Sequence, residues 1–176
     1  AREMGGEEDE ALKWYGRIEK DFPQSRVTKK AAGARTRLDS VGKKLTLTGQ
    51  SPSGQTIDLT KYQGKVVLIQ YWATWSERCK IDMPTLKDLA SRYGKKGFSI
   101  VGVNLDSNAQ EMADYVKEYE VPWPQIYEEG GLDSRPANAL GIVTLPTMIL
   151  VDKDGKVVNR NIRLAEIDGE LDRLIR

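Results

Sequence analysis

The sequence predicts an α/β fold, a central mixed β-sheet flanked by helices, with a helical hairpin ahead of it. Three observations carry that expectation. Gly64 is followed by an unbroken apolar run, Val66-Val67-Leu68-Ile69, continued by Tyr71 and Trp72; such a run, opened by a glycine, is the mark of a strand buried on both faces. Beyond it, strand-like and helix-like segments alternate, which calls for a parallel core closed by an antiparallel edge hairpin. Ahead of it, apolar residues recur at helical spacing on either side of a Phe-Pro break. Thirty per cent charged residues against 39% hydrophobic suit a soluble globular chain, and exclude wholesale disorder.

In chain order, residues 1–6 read as a disordered leader. A first helix is expected from Glu7 to Asp21, with Leu12, Tyr15, Ile18 and Phe22 on one side and Trp14 beside them. Phe22-Pro23-Gln24-Ser25 breaks it, and a second helix runs from about Arg26 to Val41 on Ala31, Ala32 and Leu38, with Gly42 as its stop. Residues 1–43 thus form a hairpin, and 44–176 the main domain. Leu45-Thr46-Leu47-Thr48 and Thr56-Ile57-Asp58-Leu59 alternate around Ser51-Pro52-Ser53-Gly54, as a β-hairpin does. Thr60–Gln63 makes a helical turn before the central strand.

From Glu77 the period becomes helical, with Ile81, Leu86 and Leu89 recurring and Ser76 reading as the N-cap. A buried strand thereby delivers a small polar residue, then Cys79, to a helix N-terminus. There the free N–H groups and partial positive charge favour an anion such as a thiolate. Phe98-Ser99-Ile100-Val101-Gly102-Val103 is a second buried strand, and Ser107 is expected to cap a helix over 108–119. Val121-Pro122-Trp123-Pro124 reads as a rigid extended connection, and 131–140 as a short helix. Met148–Val151, a turn at Asp152–Gly155, a closing strand at Val157-Val158 and a helix from Leu164 to Ile175 complete the chain.

Composition excludes several chemistries. A net charge of +1 provides no global field for nucleic acid or acidic membranes; Lys95-Lys96 and Arg160/Arg163 read as solvated surface. No run is long enough for a membrane-spanning helix. With no histidine there is no imidazole base and no histidine-ligated metal. One cysteine allows neither an intrachain disulfide nor a thiolate zinc cluster. No cofactor and no metal are expected.

The stretch Trp72-Ala73-Thr74-Trp75-Ser76-Glu77-Arg78-Cys79-Lys80, followed by Met83-Pro84, resembles the WATWCxxCK…MP signature of thioredoxin-fold proteins, the TlpA/ResA-type extracytoplasmic thiol–disulfide oxidoreductases above all. The likeness covers roughly residues 44–176. It implies a thioredoxin-like fold and an exported or membrane-anchored protein. At Val143-Thr144-Leu145-Pro146-Thr147 it implies a cis Leu145–Pro146 bond facing the motif. Leu145 and Pro146 would then line, with Trp75, a groove for an extended protein or peptide, and Glu77 and Arg78 are candidates for the same contact. The departure falls on Ser76, which stands where the family has its attacking cysteine; Cys79 keeps the resolving position. The acid that many thioredoxins bury beneath the cysteines corresponds to Gln70. Glu77 is a partial substitute, or it simply stabilises the helix dipole.

The first hairpin resembles the last unit of a tetratricopeptide-type array, which implies further helical repeats upstream; the alternative is a helical extension packed on the main domain. For function, the reading of choice is an oxidoreductase-like domain with a degenerate Ser-x-x-Cys motif, lacking dithiol chemistry and keeping a binding groove. A second is a one-cysteine enzyme, since peroxiredoxins carry Thr or Ser three residues before their cysteine. Those proteins also expect a proline where Trp72 stands and an arginine near the thiol, and neither can be placed. A third is a disulfide reductase whose first cysteine has been changed to serine. Trapping substitutions usually remove the second cysteine, and Arg78 also departs from the common proline, so natural divergence is favoured. An inert core thiol remains open, because free cysteine is among the most buried residue types.

Overall fold

A computed structural model describes residues 6–175; the leader expected over 1–6 lies outside them except for Gly6. Helices α1 (Glu8–Asp21) and α2 (Arg26–Leu38) form the N-terminal hairpin. Ser25 caps α2, its hydroxyl accepting from the Val27 amide at 3.3 Å. The expected apolar side of α1 is only partly covered: Ala11 is buried, whereas Leu12, Tyr15 and Ile18 are half-buried and Trp14 and Phe22 exposed. Helix α2 ends three residues earlier than expected, and Ala32 is exposed while Gly33 and Ala34 are buried. The reason is tertiary. Residues 41–44 leave the helix to bridge the sheet edge, the Gly42 amide donating to Val157 O at 2.8 Å.

The hairpin packs directly on the main domain. At Gly33 a Cβ would lie 1.9 Å from the Asn138 carbonyl oxygen. Gly141, at φ +60, meets Ala34 in the same way, so two backbones touch where side chains would hold them apart. Lys30 donates to the carbonyls of Leu132 and, at 3.1 Å, Ile142. Arg37 Nε donates to Leu140 O at 3.0 Å.

Strands β1 (Thr48–Gln50) and β2 (Thr56–Asp58) pair antiparallel. The first arm therefore lies further along than the expected 45–48, although Leu47 O still accepts from Leu59 N at 2.9 Å. The main sheet has five strands in the order β5 (Gln125–Tyr127), β4 (Phe98–Asn104), β3 (Val66–Trp72), β6 (Thr147–Val151), β7 (Val157–Asn159). Strands β3, β4 and β5 are parallel, and β6 and β7 antiparallel to their neighbours. Strand β5 was not expected. It has three residues, too few for an alternation to show, and exists because the exposed edge of β4 supplies its partners.

Central β3 is buried along its whole length, and its two faces enter different cores. Val66, Leu68 and Trp72 face α3 (Glu77–Tyr93), α4 (Ala109–Glu118) and α6 (Leu164–Leu174). Val67, Ile69 and Tyr71 face α5 (Arg135–Ala139) and the β-hairpin. Burying each aliphatic side chain contributes about 1.5–3 kcal/mol, which makes β3 the strand that holds the layers together. Helix α4 is capped by Asn108, not Ser107: the Asn108 carboxamide accepts from Gln110 N at 2.8 Å.

Candidate functional site

The site lies at one end of the sheet, where β3 hands over to α3. Because β6 is antiparallel to β3 and pairs Thr147 with Tyr71, Pro146 stands level with Trp72. The loops 73–76 and 143–146 thus leave the same end. Parallel β4 ends there too, pairing Asn104 with Trp72, and continues into Leu105 and Asp106. The Leu145–Pro146 peptide bond is cis.

Ser76 caps α3, its hydroxyl accepting from the Cys79 amide over a long 3.5 Å. One turn in, Cys79 is 0% exposed. It packs among Trp72, Met83 and Leu86. Burial pushes its thiol pKa up, opposed by hydrogen bonds from Ser76 and the Ala73 backbone and reinforced by the charges of Asp82 and Asp106. The helix N-terminus that should favour a thiolate is outweighed by desolvation.

Around this thiol the named residues divide. Trp75 is 55% exposed, and Leu145 and Pro146 are half-buried. Glu77 and Arg78 are exposed and hold ion pairs along the helix, Glu77 with Lys80 and Arg78 with Asp82 at 3.3 Å. Glu77 therefore faces water, away from the buried thiol. Val143 adds a further exposed apolar side chain, 60% exposed, beside the proline turn. Ile81, expected on the buried stripe, is exposed instead, because the stripe runs through Cys79, Asp82, Met83, Leu86 and Leu89.

Two buried carboxylates here escaped the sequence reading. Asp82 is 2% exposed; desolvation raises its pKa, against the opposing effect of Arg78. Its spacing of three from Cys79 was a legible signal of the shared helix face. Asp106 is fully buried, accepting from the Thr74 amide and hydroxyl (both 2.9 Å) and from Asn104 Nδ2 (2.7 Å). No local pattern announces that network. Half-buried Tyr115 on α4 packs on the Trp72 ring, centroids 5.3 Å apart, and burial raises its pKa. Gln70, fully buried on the same sheet face, has neither side-chain oxygen nor nitrogen hydrogen-bonded. Trp72 Nε1 donates to Gln125 Oε1 at 2.8 Å.

A buried strand feeding a capped helix with a cysteine one turn in, beside a cis-proline strand, defines a thioredoxin-like protein. The chain belongs to the Redoxin family, whose model matches residues 36–171. Among curated relatives, the thiol-disulfide oxidoreductase ResA of Bacillus thuringiensis subsp. konkukian is 33% identical over 117 residues, 66% of this chain and 62% of the relative. ResA of Bacillus subtilis is 29% identical over 109 residues, 62% of this chain and 59% of the relative. The chain thus spans 62% or less of the length of these relatives. Among solved structures, a thiol-disulfide oxidoreductase from Bacteroides fragilis is 27% identical with a TM-score of 0.67, covering 74% of this chain and 97% of that one. The thioredoxin domain of a thiol-disulfide oxidoreductase from Bacteroides vulgatus is 25% identical with a TM-score of 0.68, covering 77% and 98%.

Proposed function

We propose that this is a ResA-type, thioredoxin-like domain that has given up dithiol–disulfide exchange and acts by holding an extended polypeptide at the cis-proline end of its sheet. The observation that carries the reading is the state of the single cysteine: Cys79 is shut away from solvent and its burial disfavours the thiolate. Attack on a disulfide needs a thiolate that the substrate sulfur can reach. Ser76 occupies the position where the resembled family has its attacking cysteine, but it is itself buried as the helix cap, and without histidine it has no imidazole to take its proton. What remains is a rim of Trp75, Val143, Leu145 and Pro146, apolar and partly open, suited to an extended chain. A sulfenic-acid cycle on Cys79 is disfavoured on the same ground, since peroxide too must meet the thiolate. By family resemblance we place the protein outside the cytoplasm, exported or anchored in its full-length form; no described helix is long and apolar enough to cross a membrane.

The test is to reinstall the missing thiol. In Ser76→Cys the two cysteines are expected to form a disulfide one helical turn apart and the protein to gain insulin-reducing activity with dithiothreitol. The parent is expected to show none, and its Cys79 to alkylate slowly until unfolded. Turnover by the parent, or alkylation of folded Cys79 at the rate of a free thiol, would defeat the proposal.

A further inference from the structure

The loop that carries Trp75 and Ser76 has a buried polar anchor. Asp106 leaves the end of β4 and turns its carboxylate under the β3–α3 junction, where one oxygen accepts both the amide and the hydroxyl of Thr74 at 2.9 Å. The other oxygen accepts Asn104 Nδ2 at 2.7 Å, and Asn104 Oδ1 takes the Asp106 amide at 3.0 Å, closing a small ring. Asp106 and Asn104 are both fully buried, and no described ion pair includes Asp106. A carboxylate sealed in without a countercharge costs several kcal/mol unless its donors are well placed. Here two of three donors belong to one residue, directly before Trp75.

The surroundings explain why that residue needs holding. Leu105 N donates to Trp72 O at 2.8 Å, tying the two strand ends together. From Ala73 the chain must cross from sheet to helix within four residues. It does so with Trp75 half in solvent and Ser76 turned in as the cap. Neither has apolar burial enough to set the loop's course, so the donor pair of Thr74 sets it.

We infer that Asp106 is the positioning residue of the site: its carboxylate fixes the Ala73–Ser76 loop and thereby the presentation of Trp75 to a bound polypeptide. The inference rests on the binding role proposed above, but its first readout does not. An asparagine at 106 can still accept from Thr74, yet its amide would confront the Asn104 amide, donor against donor, while Asn104 Oδ1 is held by the backbone. The reciprocal exchange, Asn104→Asp with Asp106→Asn, restores a donor opposite an acceptor and keeps Thr74 bonded.

The experiment follows the indole ¹⁵N–¹H resonance of Trp75, identified through Trp75→Phe, together with affinity for carboxymethylated ribonuclease, a polypeptide unable to fold. Asp106→Asn is expected to displace the resonance and weaken binding about tenfold, the scale of one hydrogen bond to a charged group. The double variant is expected to return both towards the parent. An unmoved resonance in folded Asp106→Asn, or a double variant no closer to the parent, overturns the inference. If Asp106→Asn does not fold, Thr74→Ala, which loses only the hydroxyl bond, is expected to shift the resonance the same way by less; no shift overturns the inference. A parent that does not bind the probe defeats the binding role and leaves the resonance arm to decide positioning.

Discussion

The two faces of the central sheet are built on opposite rules. Towards α5 and the β-hairpin, β3 presents Val67, Ile69 and Tyr71 to an almost wholly aliphatic layer, and the one polar atom in that set, the Tyr71 hydroxyl, lies 3.4 Å from Pro136 O. Towards α3 the same strand presents Leu68, then Gln70 with its amide unpartnered, then Trp72 with its indole bonded to Gln125. Cys79 and Asp82 descend onto that face from the helix. Along β3 itself, the side chains turned towards α3 include an unpartnered amide, whereas those turned towards α5 do not. An unpaired buried amide costs about 1–3 kcal/mol per unsatisfied group, so the α3 face carries a burden that folding alone does not explain. Local departures of that kind gather where proteins work.

Neighbouring residues on β3 allow the contrast to be broken directly. Ile69→Ala, on the aliphatic face, is expected to destabilise by about 2–5 kcal/mol, the cost of deleting buried carbons and leaving a cavity. Gln70→Leu, one residue on and on the opposite face, is expected to stabilise by about 1–3 kcal/mol because it removes an unsatisfied donor and acceptor. Urea unfolding of the pair decides it; a loss of stability in Gln70→Leu would show that the amide is satisfied in solution. On the aliphatic side, Gly33→Ala is expected to cost about 1–3 kcal/mol through overpacking of α2 against α5, with the exposed Ala32→Gly in the same helix as a control for propensity alone.

The subtlest effect concerns pH. Asp82 has its folded pKa raised by burial, so its proton is held more tightly folded than unfolded. Its contribution is fully present below the unfolded pKa and is lost as pH rises through the higher folded value. Asp82→Asn is therefore expected to flatten stability against pH across the acid range and to leave the protein more stable than its parent at neutral pH. Thermal melts of both between pH 3 and 7 provide the measurement, and curves that stay parallel would contradict it.

The legible parts were those with a period or a punctuation mark. The run Val66–Trp72 could only be a doubly buried strand, and the Ser76 cap followed from a hydroxyl placed directly before a helical pattern. What escaped was decided by partners distant in sequence. Strand β5 exists because β4 offers an edge. Helix α2 stops at Leu38 because the next residues have hydrogen bonds waiting at Val157. Ile81 faces water because the buried side of α3 is set by where β3 lies beneath it.

At the site, the sequence by itself determined which groups exist: one thiol, no imidazole, and a serine at the helix cap. These are matters of inventory, and no fold can supply a missing side chain. The tertiary structure alone decided how those groups behave. Burial, not residue type, closes Cys79 to solvent and raises its pKa, and the charges of two carboxylates from different elements, Asp82 on α3 and Asp106 beyond β4, act in the same direction. Their effect depends on distance and desolvation, and both quantities come into being only when the chain has folded.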